Sequence, residues 1–197
     1  MEVAAPELSI RLLHSPQERQ AIAHLRQYAD FESEYELDPG LAAFESTKDS
    51  LGIVMALFLG RAAIATIRFI PTSHGITLTE RFWRNMISDE GILGPDSWEV
   101  GRLVMAPENR RSDLLPRCLA MALIELTERV TVRHFHASCL TRMTRLYRRF
   151  GFAPHGVAES RTGKQCALIH ARVDDVALAL GVSPDACPRA DRQLQAA

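Results

Sequence analysis

The chain has 197 residues, of which 47% are hydrophobic and 24% are charged, and its formal net charge at pH 7 is -1. This balance is typical of a globular domain with a full core, and it argues against a general attraction to nucleic acid or to a membrane surface. Four widely spaced cysteines suggest neither a zinc site nor a disulfide framework, and no signal segment or membrane span is recognisable, so we expect a cytoplasmic protein. We predict one domain over residues 1–181 and a flexible tail, rich in proline and small polar residues, over residues 182–197.

The first 30 residues predict a strand and a helix. Residues 8–13 read as a strand, and a Ser-Pro pair marks the start of a helix that we expect to run from residue 15 to about residue 30. Arg26 lies beside the apolar face of this helix rather than opposite to it. Its side chain is therefore expected at the border between the core and solvent.

Residues 32–49 are unusually acidic. They include Glu45 and Asp49, and Lys48 is their only cation. A Pro-Gly pair lies at the centre of the segment, so we predict a loop with a short helix at residues 41–44. This loop either closes over an amine-bearing ligand or is a solvated connection.

Two apolar runs at residues 53–59 and 62–70 predict a central β-hairpin, because a Gly-Arg turn separates them. Arg68 lies on the second strand, where a charged side chain among apolar neighbours must be paired or must reach an edge. We expect Arg68 to pair with Glu99, to bind a substrate carboxylate, or to do both. Residues 79–86 predict a short helix or flap, which either packs under the sheet or lines a pocket for an apolar ligand.

The most informative stretch runs from residue 98 to residue 115. Alternation followed by an apolar run predicts a buried strand over residues 98–105, and helical spacing returns from residue 114. Glu99 and Arg102 are three residues apart. They therefore face opposite sides of a regular strand unless a bulge at Gly101 realigns them.

The turn between this strand and the next helix is basic. Arg110 and Arg111 contribute two positive charges, and Ser112 or Asp113 can cap the helix. The free N–H groups and the positive dipole end of a helix start attract anions. The turn is therefore a candidate anion site.

Residues 130–150 predict a further strand followed by a helix. His134 and His136 share a face of the strand, but no third ligand is apparent in the sequence, so we predict no metal site. The helix carries Tyr147 at an apolar position and ends at Gly151. Four arginines flank it and form either a docking face for an acidic partner or a solvated helix face: Arg142, Arg145, Arg148 and Arg149.

The last part of the domain predicts a closing hairpin at residues 152–160 and 165–173 and a short helix at residues 174–180. The order of elements, the basic turn before a helix and the later segment Leu146-Tyr147-Arg148-Arg149-Phe150-Gly151-Phe152 resemble the GNAT acyltransferases. The resemblance implies an α/β protein with the GNAT-like three-layer fold, in which a central mixed, mostly antiparallel sheet is flanked by helices. It also implies that the turn holds the pyrophosphate and pantetheine of an acyl thioester. Acyl-coenzyme A or acyl carrier protein (ACP) would then be a co-substrate, with no tightly bound cofactor.

A narrower branch of the superfamily is also similar. Glu99-x-x-Arg102 resembles the Glu-x-x-Arg motif of acyl-homoserine-lactone synthases and N-acyl amino acid synthases, which take long acyl chains from acyl carrier protein. The other site residues of that branch have counterparts in the expected order: Arg26, Tyr28 or Phe31, Glu45, Asp49 and Arg68. The basic turn lacks the glycines that are usual in GNAT enzymes, which favours this branch.

The resemblance implies an N-acyltransferase that moves a long acyl chain to the amine of an amino acid or a related small molecule. The candidate catalytic residues are Glu99 as the base, Arg102 to orient it and Tyr147 to protonate the leaving thiolate. The substrate-binding candidates are Arg26, Glu45, Asp49 and Arg68. The acyl-thioester-binding candidates are Val104 and Met105 through their backbone N–H groups, with Arg110, Arg111, Ser112 and Asp113 for the phosphate. The four helix arginines would dock the carrier protein.

Two alternatives stay open at this point. A conventional acetyltransferase that uses acetyl-coenzyme A on a small amine or a protein would share the fold and Tyr147, but its pocket would be too short for an acyl tail. A GNAT-like module without transfer activity would instead bind an acyl thioester or a partner as a sensor. The absence of glycine from the basic turn supports this second alternative.

Overall fold

A mixed sheet organises the computed structural model, which describes residues 6–29, 31–87, 92–110 and 113–183. The strands are Leu8–Leu12 (β1), Ile53–Leu59 (β2), Ala62–Pro71 (β3), Ser97–Met105 (β4), His134–Leu140 (β5), Ala153–Glu159 (β6) and Gln165–Arg172 (β7). Within the described residues they form one seven-stranded sheet in the order β1-β2-β3-β4-β5-β7-β6. β4 and β5 are parallel, whereas the other neighbouring pairs are antiparallel. This topology confirms the predicted fold class.

Helices cover both faces of the sheet. The α-helices are Pro16–Arg19 (α1), Ala23–Arg26 (α2), Glu32–Leu37 (α3), Glu45–Leu51 (α4), Leu114–Thr127 (α5), Thr144–Arg148 (α6) and Val173–Leu180 (α7). Shorter pieces are the 3-10 turns Gln20–Ile22, Pro39–Phe44, Arg84–Met86, Pro107–Asn109 and Thr141–Met143 and a π-helical turn at Thr79–Trp83. None of the helices in the described ranges is long and apolar enough to cross a membrane.

The two faces of the sheet have separate apolar cores. On one face, α5 and α7 pack Leu126 and Val176 against strand residues that include Phe135. On the other face, α2 contributes Leu25 and the π-helical turn contributes Trp83, both of which are fully buried. The burial of Trp83 confirms the prediction of a short helical segment that packs under the sheet.

A β-bulge in β4 changes the direction of its side chains. Thr66 pairs with Val104 and Arg68 pairs with Gly101, so three steps along β4 match two steps along β3. Arg102 lies within the extra step and has a φ of 53°, in the left-handed region that non-glycine residues rarely adopt. The extra residue puts Arg102 on the same side of the strand as Glu99, which a regular strand would not do.

β4 and β5 separate next to this bulge. Their parallel pairing joins only residues 97–99 to residues 134–136. Both strands continue beyond the last pair, to Met105 and to Leu140. Because a bulge bends and twists its strand, β4 turns away from β5 and leaves a gap in the sheet.

The helix expected over residues 15–30 is interrupted. The 3-10 turn Gln20–Ile22 separates α1 from α2. Ile22 and Leu25 are both fully buried and are three residues apart. A tighter turn of three residues places both side chains on one side, where they contact the sheet.

The acidic segment is helical, so the prediction of a loop with one short helix is wrong for most of its length. α3, the 3-10 turn Pro39–Phe44 and α4 together occupy nearly all of residues 32–51. Leu41 and Lys48 are buried beneath the sheet. The charge pattern failed as a guide because cations of the protein, rather than water, surround several of these carboxylates.

The chain stays packed one residue beyond the predicted domain boundary at residue 181. α7 ends at Leu180, and Gly181 follows with a φ of 66° as its C-cap. Val182 then packs into the core and is 8% exposed. The packed chain therefore enters the region predicted as a tail, and residues 184–197 of that tail lie outside the described residues.

The turn after α6 provides a test of the fold near Tyr147. Gly151 has a φ of 87°, and a Cβ added there would lie 2.7 Å from the carbonyl oxygen of Asp175. The strain of a positive φ and the close contact with Asp175 both disfavour a side chain at residue 151. Gly151→Ala should therefore lower the free energy of unfolding by about 1–3 kcal/mol in urea denaturation.

Gly75→Ala is the matched control for Gly151→Ala. Gly75 also has a positive φ, of 67°, but no atom lies within 4 Å of the added Cβ. Gly75→Ala should therefore lower the free energy of unfolding only through the strained backbone conformation, by about 1 kcal/mol. Equal losses in the two variants would contradict a role for the contact with Asp175.

Candidate active site

A cavity of about 650 Å³ occupies the gap between β4 and β5. Its walls include residues 100–105 of β4 and residues 137–140 of β5, which are the parts of the two strands that no longer pair. Residues of α5, α6 and α7 line it on one face of the sheet, and residues beside and within α3 line it on the other. The cavity therefore reaches both faces of the sheet through the gap.

The two ends of the cavity differ in polarity. Toward α5 and α7, the walls are apolar and include Leu119, Leu123 and Phe135. Toward α3, the walls include Glu34 and Arg102. An apolar chain would be stabilised at the first end by burial, whereas a polar or charged group would find partners at the second.

Arg102 is the centre of a buried charge cluster and is only 5% exposed. Its Nη1 lies 3.1 Å from Oε2 of Glu34, and its Nη2 lies 2.9 Å from Oε1 of Glu45. Nη2 also donates to the hydroxyl of Tyr35 at 3.1 Å, and the ring centroid of Phe31 lies 3.5 Å from Cζ. Burial opposes ionisation, but Glu34 and Glu45 outweigh it and raise the pKa of Arg102. Phe31, one of the two aromatic candidates, is thus the one that contacts this arginine.

Arg68 joins the same cluster from β3. Its Nη1 lies 2.6 Å from Oδ1 of Asp49 and 3.1 Å from Oε2 of Glu45. Asp49 also accepts two hydrogen bonds from Arg26, at 2.8 and 3.1 Å. The expected ion pair between Arg68 and Glu99 is wrong, because α4 brings the carboxylates of Glu45 and Asp49 to the arginine instead. The four residues predicted to bind substrate therefore lie together and pair with one another.

Burial and the neighbouring charges shift the pKa values of the cluster members in both directions. Burial alone would raise the pKa of Glu45 and of Asp49, but the neighbouring arginines outweigh it and lower both. For Glu34 burial prevails over the attraction of Arg102, and the pKa is raised. Burial lowers the pKa of Lys48, whose Nζ lies 3.6 Å from Oε1 of Glu45. Glu34 and Lys48 are thus the members whose charged forms are least favoured.

Glu99 lies behind the bulge. Its carboxylate accepts hydrogen bonds from the backbone N–H of Leu78 at 3.3 Å and from the backbone N–H and hydroxyl of Thr79, both at 2.7 Å. It borders a small chamber of about 10 Å³, which is close to the space that one water molecule needs. Glu34 and Ser138 border both this chamber and the large cavity. The route from Glu99 to the cavity therefore runs through the chamber.

Tyr147 and Cys139 line the cavity from α6 and β5. Burial, with smaller contributions from Cys139 and Glu34, raises the pKa of Tyr147 to about 12. Burial also raises the pKa of Cys139 to about 11. At neutral pH both groups are protonated, so Tyr147 can donate a proton and Cys139 is not a thiolate nucleophile.

The basic turn lies at the start of α5. Arg110 lines the cavity, and its Nε donates to the carbonyl oxygen of Met105 at 3.0 Å. Val104 and Met105 also line the cavity. Asp113 is the N-cap residue of α5, but its side chain makes no capping hydrogen bond within the described residues. Two predicted members of this site lie outside the described residues: Arg111 and Ser112.

The four arginines around α6 are all exposed. Arg142 and Arg149 also border the cavity, from the two ends of the helical segment. Arg145 and Arg148 lie between them in sequence, on α6 itself. The structure therefore places positive charge beside the cavity opening, on a surface that is free to meet a partner.

Four histidines cluster on the face of the sheet that carries Glu99. Nδ1 of His134 lies 3.0 Å from Nε2 of His170, and the rings of His136 and His155 lie 5.0 and 4.9 Å from that of His170. His136 is fully buried, and its Nε2 lies 3.0 Å from the carbonyl oxygen of Ile92. Across the described ranges, no group of three or more histidine, cysteine or acidic side chains has a geometry that could hold a metal ion. Burial lowers the pKa of His136 to about 4 and that of His170 to about 3, so both are neutral at pH 7.

The sequence analysis missed three members of the charge cluster: Glu34, Tyr35 and Lys48. Glu34 was one carboxylate among many in the acidic segment, and nothing local set it apart. Lys48 did carry a signal, since it is the only cation of that segment and follows Glu45 by three residues, on the same side of a helix. No sequence signal pointed to Tyr35, because its partner Arg102 is 67 residues away.

The buried ion pairs predict a large effect of removing Arg68. Arg68→Met would leave Glu45 and Asp49 in place without a shared partner. We expect the free energy of unfolding in urea to fall by about 3–5 kcal/mol. Arg129→Met is the control, because Arg129 is 49% exposed and pairs with Glu125 on the surface of α5; its loss should stay below about 1 kcal/mol. Similar losses in the two variants would contradict the burial of the Arg68 pairs.

The buried neutral histidines predict sensitivity to acid. The unfolded chain takes up protons near the ordinary histidine pKa of 6.5, whereas the folded chain does so only near 4 at His136 and near 3 at His170. Stability should therefore fall as the pH drops below 6.5, by up to about 1.4 kcal/mol per pH unit for each histidine. Urea denaturation at pH 7, 6 and 5 measures this slope, and His136→Gln should reduce it. An unchanged slope in that variant would contradict the assignment.

The chain is similar to known proteins in structure rather than in sequence. No protein-family model and no curated protein matches the sequence. The structure of FeeM, an N-acyl amino acid synthase from uncultured soil microbes, superposes with a TM-score of 0.67 and 16% identity over 90% of this chain and 99% of FeeM. A Lactobacillus plantarum protein assigned as an N-acetyltransferase superposes with a TM-score of 0.59 and 18% identity, over 84% of this chain and 98% of its own. MesI, a coenzyme A-dependent acyl-homoserine lactone synthase, superposes with a TM-score of 0.56 and 14% identity, over 89% of this chain and 96% of MesI. The chain thus has the GNAT-like α/β fold of these acyltransferases, as the sequence predicted.

Proposed function

We propose that the protein is an N-acyltransferase that moves a long acyl chain from a thioester to the amine of an amino acid or a related small molecule. The observation that carries this proposal is the cavity between β4 and β5, with an apolar end toward α5 and α7 and a charged end toward α3. A thioester in the gap would have its acyl chain on the apolar side and an amine acceptor on the charged side. The fold shared with FeeM and MesI supports the same reading.

The acyl donor would lie along the unpaired edge of β4. In this arrangement the backbone N–H groups near Val104 and Met105 hold the oxyanion of the tetrahedral adduct. The phosphate of the pantetheine arm lies at the basic turn, held by Arg110, Arg111, Ser112 and Asp113. The cavity volume of about 650 Å³ supports a long acyl chain over acetyl, because each methylene buried at the apolar end adds about 0.8 kcal/mol.

The chemistry needs a base on one side of the thioester and an acid on the other. Glu99 is the proposed base and acts through the one-water chamber, since its carboxylate does not face the large cavity directly. Tyr147 is the proposed acid and protonates the leaving thiolate. Burial raises the pKa of Tyr147 to about 12, so Tyr147 holds its proton at neutral pH, as an acid must before the transfer.

The charge cluster would form the acceptor site. Arg102 orients the acceptor and borders the chamber. The proposed substrate-binding residues form the wall behind Arg102: Arg26, Glu45, Asp49 and Arg68. Because these side chains already pair with one another, they need no reorganisation when a ligand arrives. A pre-arranged polar wall of this kind favours a small polar amine over a protein surface.

The donor would be delivered by acyl carrier protein. The exposed arginines beside the opening support this, since an acidic carrier would be attracted to Arg142, Arg145, Arg148 and Arg149. Coenzyme A is the alternative carrier, and it is the one that MesI uses by its name. The two donors can be compared directly as acyl-carrier protein and acyl-coenzyme A of the same chain length.

The test of the proposed function is the formation of an amide. Cells of a bacterium that expresses the protein should accumulate an N-acyl amino acid or an acyl lactone, detected by mass spectrometry of a solvent extract. Glu99→Gln and Tyr147→Phe should each lower its amount about 100-fold or more, because a positioned acid or base contributes about 10²–10⁴ to such a reaction. Glu128→Gln, the same change on the exposed end of α5, should leave the amount unchanged.

Three results would contradict the proposal. A product unaffected by Glu99→Gln would remove Glu99 from the reaction. Acetylated amines without a long-chain product would support the conventional acetyltransferase. No product from any amine, together with binding of the acyl thioester in a thermal-shift assay, would support a module that binds without transfer.

A further inference from the structure

Glu34 occupies the boundary between the two internal spaces. It lies on α3 and borders both the large cavity and the one-water chamber behind it. Its side chain is 26% exposed, so the carboxylate is in reach of a ligand without being open to bulk solvent on all sides. Glu99, in contrast, is reached from the cavity through the chamber.

The hydrogen bonds of the two carboxylates also differ. Glu99 accepts three, from Leu78 and Thr79, which occupy both of its oxygens. Glu34 accepts one within the described residues, from Nη1 of Arg102 to Oε2 at 3.1 Å, and Oε1 is left for a ligand. A carboxylate oxygen without a protein donor, at the wall of a cavity, is a binding place for an N–H group.

Charged and titratable groups face Glu34 from several elements. Arg102 and Glu99 approach from β4, and Lys48 and Glu45 approach from α4. Tyr147, on α6, lines the same cavity from the other face of the sheet, and Tyr35 is the neighbour of Glu34 on α3. Tyr147, the proposed acid, and the carboxylate of Glu34 therefore lie on opposite sides of the same cavity.

We infer that Glu34 is a catalytic residue that binds the ammonium group of the acceptor and takes its first proton. This inference rests on the proposed function. It assigns to Glu34 a contact with the substrate, and it leaves to Glu99 and the chamber the second proton, which the nitrogen releases as the adduct collapses.

The reaction removes two protons from the acceptor nitrogen and returns one to the leaving thiolate. An ammonium group and a thioester yield an amide, a thiol and one free proton, as the C–N bond forms and the C–S bond breaks. The nitrogen gives up two protons, and only a nitrogen that has lost the first has the lone pair needed for attack. The first passes to Glu34 and from there to solvent. The second passes through the chamber to Glu99 and on to solvent, and Tyr147, which protonates the thiolate, regains a proton from solvent.

The environment of Glu34 suits the first transfer. Burial raises its pKa although Arg102 and Lys48 oppose this, whereas the arginines lower the pKa of the other cluster carboxylates, Glu45 and Asp49. A carboxylate with a raised pKa is a stronger proton acceptor. Of these three, Glu34 is therefore the better base.

The experiment measures amine-dependent thiol release with decanoyl-coenzyme A and an equimolar mixture of the standard amino acids except cysteine, from pH 7 to pH 9. At pH 7, Glu34→Gln should be slower than wild type by about 100-fold or more. The variant should regain about tenfold per pH unit, because the amine then loses its proton in solution, whereas wild type should change little. A ratio of variant to wild type that stays constant with pH would overturn the inference, since it would indicate a structural role.

Two further variants separate the inference from effects on folding. Tyr35→Phe removes a different acceptor of Arg102 and leaves Glu34 in place, so its ratio to wild type should not depend on pH. Glu34→Asp keeps a carboxylate, and its pH profile should have the shape of wild type at a lower rate; a profile like that of Glu34→Gln would overturn the inference. Absence of amine-dependent thiol release in wild type, with this donor and with decanoyl-carrier protein, together with the absence of an amide product from expressing cells, would overturn the proposed function itself.

Discussion

The extra residue of β4 at Arg102 is the feature on which the site depends. Its left-handed backbone conformation is unfavourable for a residue with a side chain, by about 1–3 kcal/mol. The guanidinium is held against this strain by Glu34, Glu45 and the ring of Phe31. Because of the extra residue, Arg102 and Glu99 share a face, and β4 leaves β5 after three paired residues. The cavity, the chamber and the unpaired edge of β4 are all consequences of this one irregularity.

The charge cluster connects that irregularity to the helices that cover it. In the described part of the chain it combines four cations, Arg26, Lys48, Arg68 and Arg102, with four carboxylates, Glu34, Glu45, Asp49 and Glu99. Such a cluster adds little net stability, because desolvation offsets most of the attraction, but removal of one member leaves the charges of its partners less well compensated. Its main effect is on geometry. It fixes α3 and α4 relative to β3 and β4, and so holds the carboxylates at set positions around the chamber.

Local patterns predicted most of the fold. The β2–β3 hairpin, the strand that carries Glu99 and Arg102, and α5 after the basic turn follow from period-two and helical spacing of apolar residues, which is a property of neighbours in sequence. The prediction failed at the acidic segment, where a high density of carboxylates looks the same whether water or buried arginines surround it. It also failed at residues 15–30, where the contact of Ile22 and Leu25 with the sheet selects a tighter turn than helix propensity alone would give.

The sequence by itself determined the order of elements, the GNAT-like fold and a short set of chemistry-bearing residues, since the spacing of Glu99 and Arg102 and the segment around Tyr147 are legible without coordinates. Only the tertiary structure decided which of them meet. Glu34 and Arg102 are 68 residues apart, and Arg68 pairs across 19 residues with Asp49 rather than with Glu99. The separation of β4 from β5 and the pairing of these charges depend on long-range packing and on the burial of charge, and neither is encoded in the periodicity of any one segment.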